Sequence, residues 1–446
     1  KDFKIIGTSR KNVDAKKLVT GEPLFGLDLM KEGMLIAMIE HPPAFGMKIK
    51  SVDSEAVKAM PGIKDVFTIN TRPEGYEMQW FDRANAFPEL VAIVGNSTWE
   101  VMKAKRALNV EWEEDTKLES STDHEAGFVD LLSKPTDEPA RKDGNPEEAF
   151  KNAAQVIERT FSAPFLAHNC MEPMNFFANV TADKCEVEGP VQTPGPLRSG
   201  LMSMLGMEED QVTVMMTRMG GGFGRRLYGN FAMEAAAISK QVGAPVKLVY
   251  SREDDMTQGT YRPAYKVTYK AGLDAEGNLT AFHIRGTGTH GSPVFANRFP
   301  AGTVDNYIVE NHTQPSNIST GAWRAPRSNF IACAEQSFLD EVAEAAGKDP
   351  IDFRLSLFDR AINNPVGEEN DYDAARYAGV LKLVKEKSGW GTDMPGIHRG
   401  VTAYFCHNSY VAQVVDVEMK DNRPRVKKVW CAVDCGIVVN PDAAKN

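Results

Sequence analysis

The sequence predicts an α/β to α+β fold with mixed sheets, and three observations support this prediction. Strand-like runs of alternating apolar residues recur along the 446-residue chain. Helical segments with N-cap, proline and glycine boundary residues separate these runs in no regular order. Apolar residues make up 42% and charged residues 25% of the chain. These values are typical of globular proteins, and the length suggests two or three domains of about 100–200 residues each.

A polar and basic lead-in covers residues 1–20, and the first compact unit is expected at residues 21–112. Ser97 is the predicted N-cap of a helix in this unit, and Glu100 stands at its capping-box position. Residues 71–88 are expected to be irregular. Strands are predicted at 34–40, 64–69 and 90–94, with another beginning at 110, and helices at 54–60 and 97–108.

Residues 113–148 differ from their surroundings, because they are highly charged and carry scattered prolines. This composition predicts an interdomain linker with one brief ordered segment at 127–132.

From residue 149 the chain is richer in glycine and in alternating apolar residues. We expect one domain at 149–390 and the start of another at 391–446. Strands are predicted at 156–161, 175–180, 185–188, 211–217, 245–250, 265–271, 279–287, 410–417 and 426–433, and helices at 196–205, 230–241, 334–346 and 351–359.

Net charge and cysteine content argue against several classes of function. The chain carries 51 basic and 61 acidic residues, a net charge of −10, so the basic footprint of a duplex-binding protein is missing. No apolar run reaches the roughly 18–20 residues needed to cross a bilayer. The six cysteines contain no Cys-x-x-Cys pair, and Cys431 and Cys435 are predicted to be buried apolar side chains. We therefore expect no nucleic-acid partner, no membrane span and no metal ligands; a cytoplasmic and a periplasmic location both stay open.

The most specific motif follows a predicted strand, precedes a predicted helix, and reads Met219-Gly220-Gly221-Gly222-Phe223-Gly224-Arg225-Arg226. Its glycines allow close approach of another molecule. The N–H groups at the start of the helix and the two arginines would favour an anion. The spacing fits neither a Walker loop nor the dinucleotide fingerprint. On the residues alone, a phosphate- or pterin-like ligand and a tight turn with surface arginines stay as alternatives.

Four further polar clusters occur in order along the chain: residues 164–175, Gln192-Thr193-Pro194, residues 321–329 and Asp434-Cys435-Gly436. With the glycine-rich motif, they resemble the molybdenum-binding large subunit of the xanthine dehydrogenase and aldehyde oxidase family, most of all its isoquinoline 1-oxidoreductase β-subunit branch. The resemblance runs from about residue 5 to 446. It implies an a/b hammerhead domain at 21–112, the first part of a molybdopterin-binding domain at 149–390, and the start of a second such domain at 391–446.

The resemblance also assigns cofactor contacts. Gln192 corresponds to the glutamine that hydrogen-bonds the molybdenum oxo group. Gly222, Phe223 and Gly224 correspond to the loop beside the metal. Arg324 corresponds to an arginine that lines the molybdopterin, although its neighbours here depart from the family's Phe-Arg-Gly-Phe-Gly stretch.

Two residues are assigned to the substrate. Purine hydroxylases of the family carry a glutamate three residues after the position of Gly224, where this chain has Leu227. A leucine cannot accept a hydrogen bond from a purine ring, which favours an aldehyde or an N-heteroaromatic substrate. Arg298 corresponds to a substrate-orienting arginine or is a surface residue; the sequence leaves both open.

No catalytic residue is expected in this chain, because the resemblance places the general-base glutamate downstream of Asn446. Glu22 and Glu368 are expected to be surface carboxylates. His168 and Glu172 are expected in a polar cluster rather than a metal site, and His407 in a structural role. The chain therefore resembles the middle of a longer subunit, inactive and with little molybdopterin of its own.

The intact subunit is implied to hydroxylate an aldehyde or N-heterocycle with water as the oxygen source, passing electrons to a small subunit with two [2Fe-2S] clusters. The missing N- and C-terminal parts of the same subunit would be further partners. One alternative is a non-catalytic scaffold for subunit docking or cofactor retention. Another is a nucleotide-binding oxidoreductase, which the glycine spacing disfavours.

Overall fold

The computed structural model of the chain describes residues 3–76, 87–367 and 369–445. Most of the predicted irregular segment at 71–88, and Glu368, lie outside these residues. The strands are β1 (Leu35–Glu40), β2 (Met47–Asp53), β3 (Ile63–Asn70), β4 (Glu89–Gly95), β5 (Asn109–Glu114), β6 (Arg141–Asp143), β7 (Gln155–Ala163), β8 (Asn175–Val180), β9 (Cys185–Gly189), β10 (Val212–Met216), β11 (Val246–Val249), β12 (Tyr265–Leu273), β13 (Leu279–Thr289), β14 (Asn306–Gln314), β15 (His398–Cys406), β16 (Ser409–Lys420) and β17 (Arg423–Asp434). The α-helices are α1 (Ala15–Thr20), α2 (Glu55–Lys58), α3 (Thr98–Ala107), α4 (Ser121–Leu132), α5 (Pro146–Asn152), α6 (Pro194–Leu205), α7 (Asn230–Val242), α8 (Arg252–Thr257), α9 (Ser328–Ala345), α10 (Pro350–Asn363), α11 (Ala374–Ser388) and α12 (Pro441–Ala444).

The described strands form sheets that mix parallel and antiparallel pairs, which confirms the predicted fold class. The seven-stranded sheet has the order β10-β9-β8-β11-β1-β4-β3, and the five-stranded sheet the order β6-β14-β13-β12-β7. Strands β15, β16 and β17 form a three-stranded sheet, and β2 pairs with β5. In the seven-stranded sheet β9 and β10 run parallel, whereas β8 and β9 form the predicted hairpin.

The seven-stranded sheet is assembled from two distant parts of the chain. Strand β1 pairs with β4 on one side and, in parallel, with β11 on the other, where Leu35 lies opposite Val246. Strands from the segments 21–112 and 149–390 therefore share one sheet. The division of the chain into domains, including the hammerhead, stays a prediction.

Among the described residues, three clusters of buried apolar side chains hold the sheets and helices together, and the two larger ones lie on the seven-stranded and five-stranded sheets. Helix α7 buries Phe231 against Phe176 of β8, and its alanines allow close packing on the seven-stranded sheet. In the five-stranded sheet, Tyr269 and Phe282 pack against Phe338 of α9. Burial of this apolar area is the main force that positions the loops between the elements.

The charged segment 113–148 contains more regular structure than its composition predicts. Helix α4 spans twelve residues, and its N-terminus is a capping box between Ser120 and Asp123. Strand β6 then joins the five-stranded sheet, where Arg141 and Asp143 form a buried ion pair at 2.8 Å. Pro135 and Pro139 lie between elements of this segment, and Pro146 is the first residue of α5.

The described residues contain neither a helix that could span a membrane nor a cluster of metal ligands. None of their helices combines the length and apolarity needed to cross a bilayer. No three His, Cys, Asp or Glu side chains among them are grouped so that they could hold a metal ion.

Candidate cofactor-binding site

The glycine-rich loop, residues 220–224, connects the edge strand β10 to a 3₁₀ turn at Arg225–Leu227 and then to α7. Its backbone enters the left-handed region at Gly221 (φ 98°), Phe223 (φ 52°) and Gly224 (φ 105°). A Cβ atom on Gly224 would stand 2.0 Å from the carbonyl oxygen of Ala322. Glycine is therefore required at position 224 by the backbone conformation and by the neighbouring chain.

A second loop, residues 321–327, lies directly against the glycine-rich loop. The Arg324 N–H donates to the Phe223 carbonyl oxygen at 2.7 Å. The Arg324 guanidinium stands 5.6 Å from the centre of the Phe223 ring. The Ala322 N–H donates to the hydroxyl of Tyr228, so the second loop is also tied to the segment that follows the 3₁₀ turn. Both side chains predicted to line the cofactor, Phe223 and Arg324, are exposed here.

Gln192 is held at the same place by backbone contacts. Its N–H donates to the Arg226 carbonyl oxygen at 2.9 Å. The adjacent Thr193 hydroxyl donates to the Leu227 carbonyl oxygen at 2.8 Å. The Gln192 side chain itself is exposed, so its amide is available to another molecule. The structure thus brings together five of the assigned positions: Gln192, Phe223, Gly224, Leu227 and Arg324.

Arg298 contacts the residue that follows the second loop and makes no contact with the glycine-rich loop among the interactions of the described residues. Its Nη1 donates to the Ser328 hydroxyl, at the start of α9, at 3.0 Å. Its guanidinium stacks on the Phe295 ring at 3.5 Å from the ring centre. The side chain is half-buried, so it is not a free surface arginine, and its substrate role stays a prediction.

Glu172 joins three parts of the site from the inside. Its carboxylate is 6% exposed and accepts hydrogen bonds from the Gly220 N–H at 2.7 Å and the Leu27 N–H at 3.1 Å. It also accepts from the Asn175 amide at 3.0 Å and the Arg226 guanidinium at 3.2 Å. These contacts place Glu172 in the predicted polar cluster, with no capacity left over for a ligand.

His168 belongs to the same cluster but contacts the second loop. Its Nε2 lies 2.9 Å from the carbonyl oxygen of Ala322. Burial lowers the pKa of His168 to about 4, so the imidazole is neutral near pH 7. A neutral imidazole with its proton on Nε2 donates to this carbonyl, which fixes the position of the second loop.

The two arginines after the loop do not face a ligand, which corrects the sequence interpretation. Arg225 is 2% exposed and Arg226 is fully buried, and burial lowers the pKa of Arg226. Arg226 donates to the Gly221 carbonyl at 2.6 Å and to the Glu172 carbonyl at 2.8 Å. The first residues of α7 are buried as well. The charge that the sequence assigned to anion binding instead holds the loop from within the protein.

A buried chain of polar residues continues from Arg225, and sequence reasoning missed it. Arg225 donates to Asn230 at 3.0 Å, and Asn230 donates to Glu234 at 3.0 Å. The Tyr250 hydroxyl donates to the other Glu234 oxygen at 2.6 Å. Burial raises the pKa of Glu234. The only local signal was a glutamate within an alanine-rich helix, which by itself does not show that the residue is buried.

The outer face of the glycine-rich loop offers hydrogen-bond donors. Within the part of the chain that the structure describes, the N–H groups of residues 221–224 donate to no protein acceptor. Gly222 lies outside the left-handed region, and a Cβ atom there would meet nothing closer than 3.7 Å. The nearest atoms belong to the buried Arg226 side chain, so protein packing leaves room for a small side chain at position 222. These donors suit an anionic group rich in oxygen atoms.

Comparison with known proteins agrees with this geometry. The sequence model of a family described as a molybdopterin cofactor-binding domain matches residues 133–358. The chain belongs to this family. The match includes both loops of the site and confirms the family resemblance inferred from the sequence motifs. The residues present fit molybdopterin, because the N–H groups of residues 221–224 have no acceptor among the described residues and Gln192 and Arg324 beside them are exposed.

Individual relatives of this molybdopterin-domain chain have low sequence identity to it, but they align with nearly its whole length. Isoquinoline 1-oxidoreductase subunit beta of Brevundimonas diminuta is 26% identical, over 99% of this chain and 57% of its own length. A membrane-bound aldehyde dehydrogenase of Gluconacetobacter polyoxogenes, whose name includes pyrroloquinoline-quinone, is also 26% identical, over 99% of this chain and 60% of its own length. The chain thus spans less than two thirds of these relatives.

The fold also matches a solved structure. Quinoline 2-oxidoreductase from Pseudomonas putida 86 superimposes with a TM-score of 0.69, covering 93% of this chain and 58% of the other, at 18% identity. At this identity the match establishes the fold and no residue role. The assignments of Gln192, Gly222, Phe223, Gly224, Leu227, Arg298 and Arg324 stay predictions.

Proposed function

We propose that this chain forms part of a molybdopterin site in an oxidoreductase that acts on an aldehyde or N-heteroaromatic carbon. The observation that carries the proposal is the glycine-rich loop, where four N–H groups have no acceptor, and Gly222 has no close contact that requires glycine, among the residues that the structure describes. The relatives whose names specify isoquinoline and aldehyde substrates support this substrate class.

In this proposal the chain's own residues bind and orient. The N–H groups of residues 221–224 donate to anionic oxygens of the molybdopterin, and the exposed Gln192 amide donates to a further oxygen. Arg324 adds a positive charge at the exposed end of the second loop. Arg226 and Glu172 keep the loop in this conformation before anything binds, so binding does not have to order it. When bound, the cofactor supplies the redox-active metal.

Two apolar side chains would shape the space for substrate. Phe223 is 41% exposed beside the second loop, and its ring offers a flat surface to an aromatic or planar carbonyl substrate. Leu227 is half-buried on the 3₁₀ turn and provides no hydrogen-bond acceptor from its side chain. Both favour an apolar ring or aldehyde over a purine.

The net reaction converts an aldehyde and water to a carboxylic acid, releasing two protons and two electrons. We propose that the electrons pass to a small subunit with two [2Fe-2S] clusters. This part of the proposal rests on the family resemblance, and no residue described here is assigned to the electron path.

The test measures molybdenum by elemental analysis and pterin by fluorescence in the full-length gene product, co-produced with its neighbouring iron–sulfur subunit. We expect about one molybdenum per subunit and oxidation of aldehydes or N-heterocycles that incorporates oxygen from labelled water. Residues 1–446 alone are expected to retain little molybdenum and little pterin. A well-folded complex without molybdenum, produced with a verified cofactor supply, would refute the proposal.

A further inference from the structure

The hairpin between β15 and β16 places a thiol against an imidazole. Cys406 and Ser409 lie opposite each other at the end of the ladder, and His407 and Asn408 form the two-residue turn. Both turn residues have left-handed backbones, with φ of 50° and 56°. Such turns hold their two central residues in a defined geometry. In this geometry the Cys406 Sγ lies 2.8 Å from the His407 Nδ1.

A hydroxyl group lies within hydrogen-bond distance of the same thiol. The Ser328 hydroxyl lies 3.4 Å from the Cys406 Sγ and accepts a hydrogen bond from Arg298. The guanidinium of Arg298 also lies 5.5 Å from the ring of Phe405, the residue before the cysteine. The guanidinium of Arg327 shares the Phe295 ring with Arg298, at 4.1 Å from its centre.

The other cysteines provide internal comparisons. Cys170 and Cys185 are buried, and burial raises the pKa of Cys170 and raises that of Cys185 to about 12. Cys333, Cys431 and Cys435 are exposed, which for the last two corrects the prediction of buried side chains. Among the described residues, none of these three has a hydrogen bond to an imidazole. Cys406 is half-buried and thus accessible, and it differs from the exposed thiols in its partners.

We propose that Cys406 and His407 form a nucleophilic thiol–imidazole pair, a covalent modification site for small, soft carbon electrophiles. The Cys406 Sγ attacks the electrophilic carbon, and an S–C bond forms as the bond to the leaving group breaks. The thiol proton passes to His407 Nδ1 and from there to water, and the leaving group departs with its electron pair. The step needs no oxidant or reductant.

A covalent adduct on Cys406 would lie next to the start of α9, beside the second loop of the cofactor site. Ser328 is the first residue of α9 and directly follows the second loop, which carries Arg324. An adduct on Cys406 would displace the Ser328 hydroxyl and its bond to Arg298. The proposal itself stands on the thiol–imidazole geometry and does not depend on the identity of the cofactor.

The test is timed alkylation of the native chain with iodoacetamide near pH 7, followed by mass spectrometry of each cysteine-containing peptide. Because His407 Nδ1 lies where it can take the proton as the sulfur attacks, we expect Cys406 to react about tenfold faster than Cys333, Cys431 and Cys435. His407→Asn keeps a residue that tolerates the left-handed turn but removes the base. It should reduce the Cys406 rate to that of the exposed cysteines and leave their rates unchanged.

Three results decide the matter. Fast alkylation of Cys406 that is lost in His407→Asn supports the pair. Alkylation of Cys406 no faster than that of Cys333 refutes it. An unchanged Cys406 rate in His407→Asn also refutes it, because the reactivity would then not come from the imidazole. Continued protection of the buried Cys170 and Cys185 in the variant serves as the control for an intact fold.

Discussion

Two alanine substitutions two residues apart should separate folding from cofactor binding. Gly224→Ala places a Cβ atom 2.0 Å from the Ala322 carbonyl oxygen at a φ of 105°. A left-handed backbone costs a non-glycine residue roughly 1–2 kcal/mol, and forced overpacking costs about 1–3 kcal/mol. We therefore expect Gly224→Ala to lower the free energy of unfolding by about 2–5 kcal/mol.

Gly222→Ala requires neither a left-handed alanine backbone nor a close steric contact. The nearest protein atom to its new methyl group would be 3.7 Å away, which is ordinary van der Waals contact. Its free energy of unfolding should stay within about 0.5 kcal/mol of the wild-type value. The methyl group would, however, add bulk to the loop whose N–H groups we propose donate to molybdopterin. The variant should therefore fold normally and retain much less cofactor.

The assay combines urea denaturation with molybdenum and pterin content per chain, measured in the full-length gene product. Gly224→Ala should lose stability and cofactor together. Gly222→Ala should lose cofactor alone. Wild-type cofactor content in a stable Gly222→Ala protein would refute the inference that the open glycine marks the binding face. Gly206→Ala, a helix C-cap glycine with φ 69° and no neighbour within 4 Å, controls for the loss of a glycine with positive φ elsewhere.

Three further predictions address single side chains. Glu172→Gln replaces a buried carboxylate that accepts from four donors with a neutral amide that has a single oxygen, so some of these donors lose their acceptor. We expect a loss of about 3–5 kcal/mol in urea denaturation, against about 0–1 kcal/mol for the half-buried Glu186→Gln, whose partner is the exposed Lys184. Equal losses would contradict the role of Glu172 in holding the glycine-rich loop. Burial raises the pKa of Glu335 from 4.5 to about 8, so the folded state holds a proton that the unfolded state loses as pH rises through this window. The stability of Glu335→Gln relative to wild type should therefore rise from pH 4.5 to 8, by about 5 kcal/mol at most, and a pH-independent difference would show that the carboxyl is not protonated in the folded state. Leu227→Glu in the full-length enzyme should shift the ratio of kcat/KM values toward purines over aldehydes, whereas an unchanged ratio would remove Leu227 from substrate selection.

Local patterns predicted much of the fold. The β8–β9 hairpin and the β12–β13 hairpin follow from alternating apolar residues and polar turns, and α3 follows from its Ser97 cap. Helix α4 was underestimated because charge and proline content suggested a linker, although Ser120 and Asp123 carried a capping-box pattern. The structure confirms the helix that the Ser120 and Asp123 pattern indicates, whereas the charge and proline content had suggested a linker.

The environment of the site was harder to predict, because it depends on residues that are far apart in the chain. Glycines followed by two arginines look the same whether the arginines face solvent or the core. The outcome is decided by Glu172, which is 54 residues from Arg226 and supplies its buried partner. The family resemblance pointed to two loops that the structure brings into contact, but the inward direction of the arginines required the tertiary structure.

The sheet shared by distant segments has a consequence for the order of folding. Strand β1 is complete at residue 40, yet its parallel partner β11 spans residues 246–249. During synthesis at roughly 5–20 residues per second, one edge of the nascent β1–β4–β3 sheet would stay unpaired for on the order of ten seconds or more. Such an exposed edge can pair with another chain. Production of this protein should therefore depend on chaperones more strongly than the stability of the finished sheet would suggest.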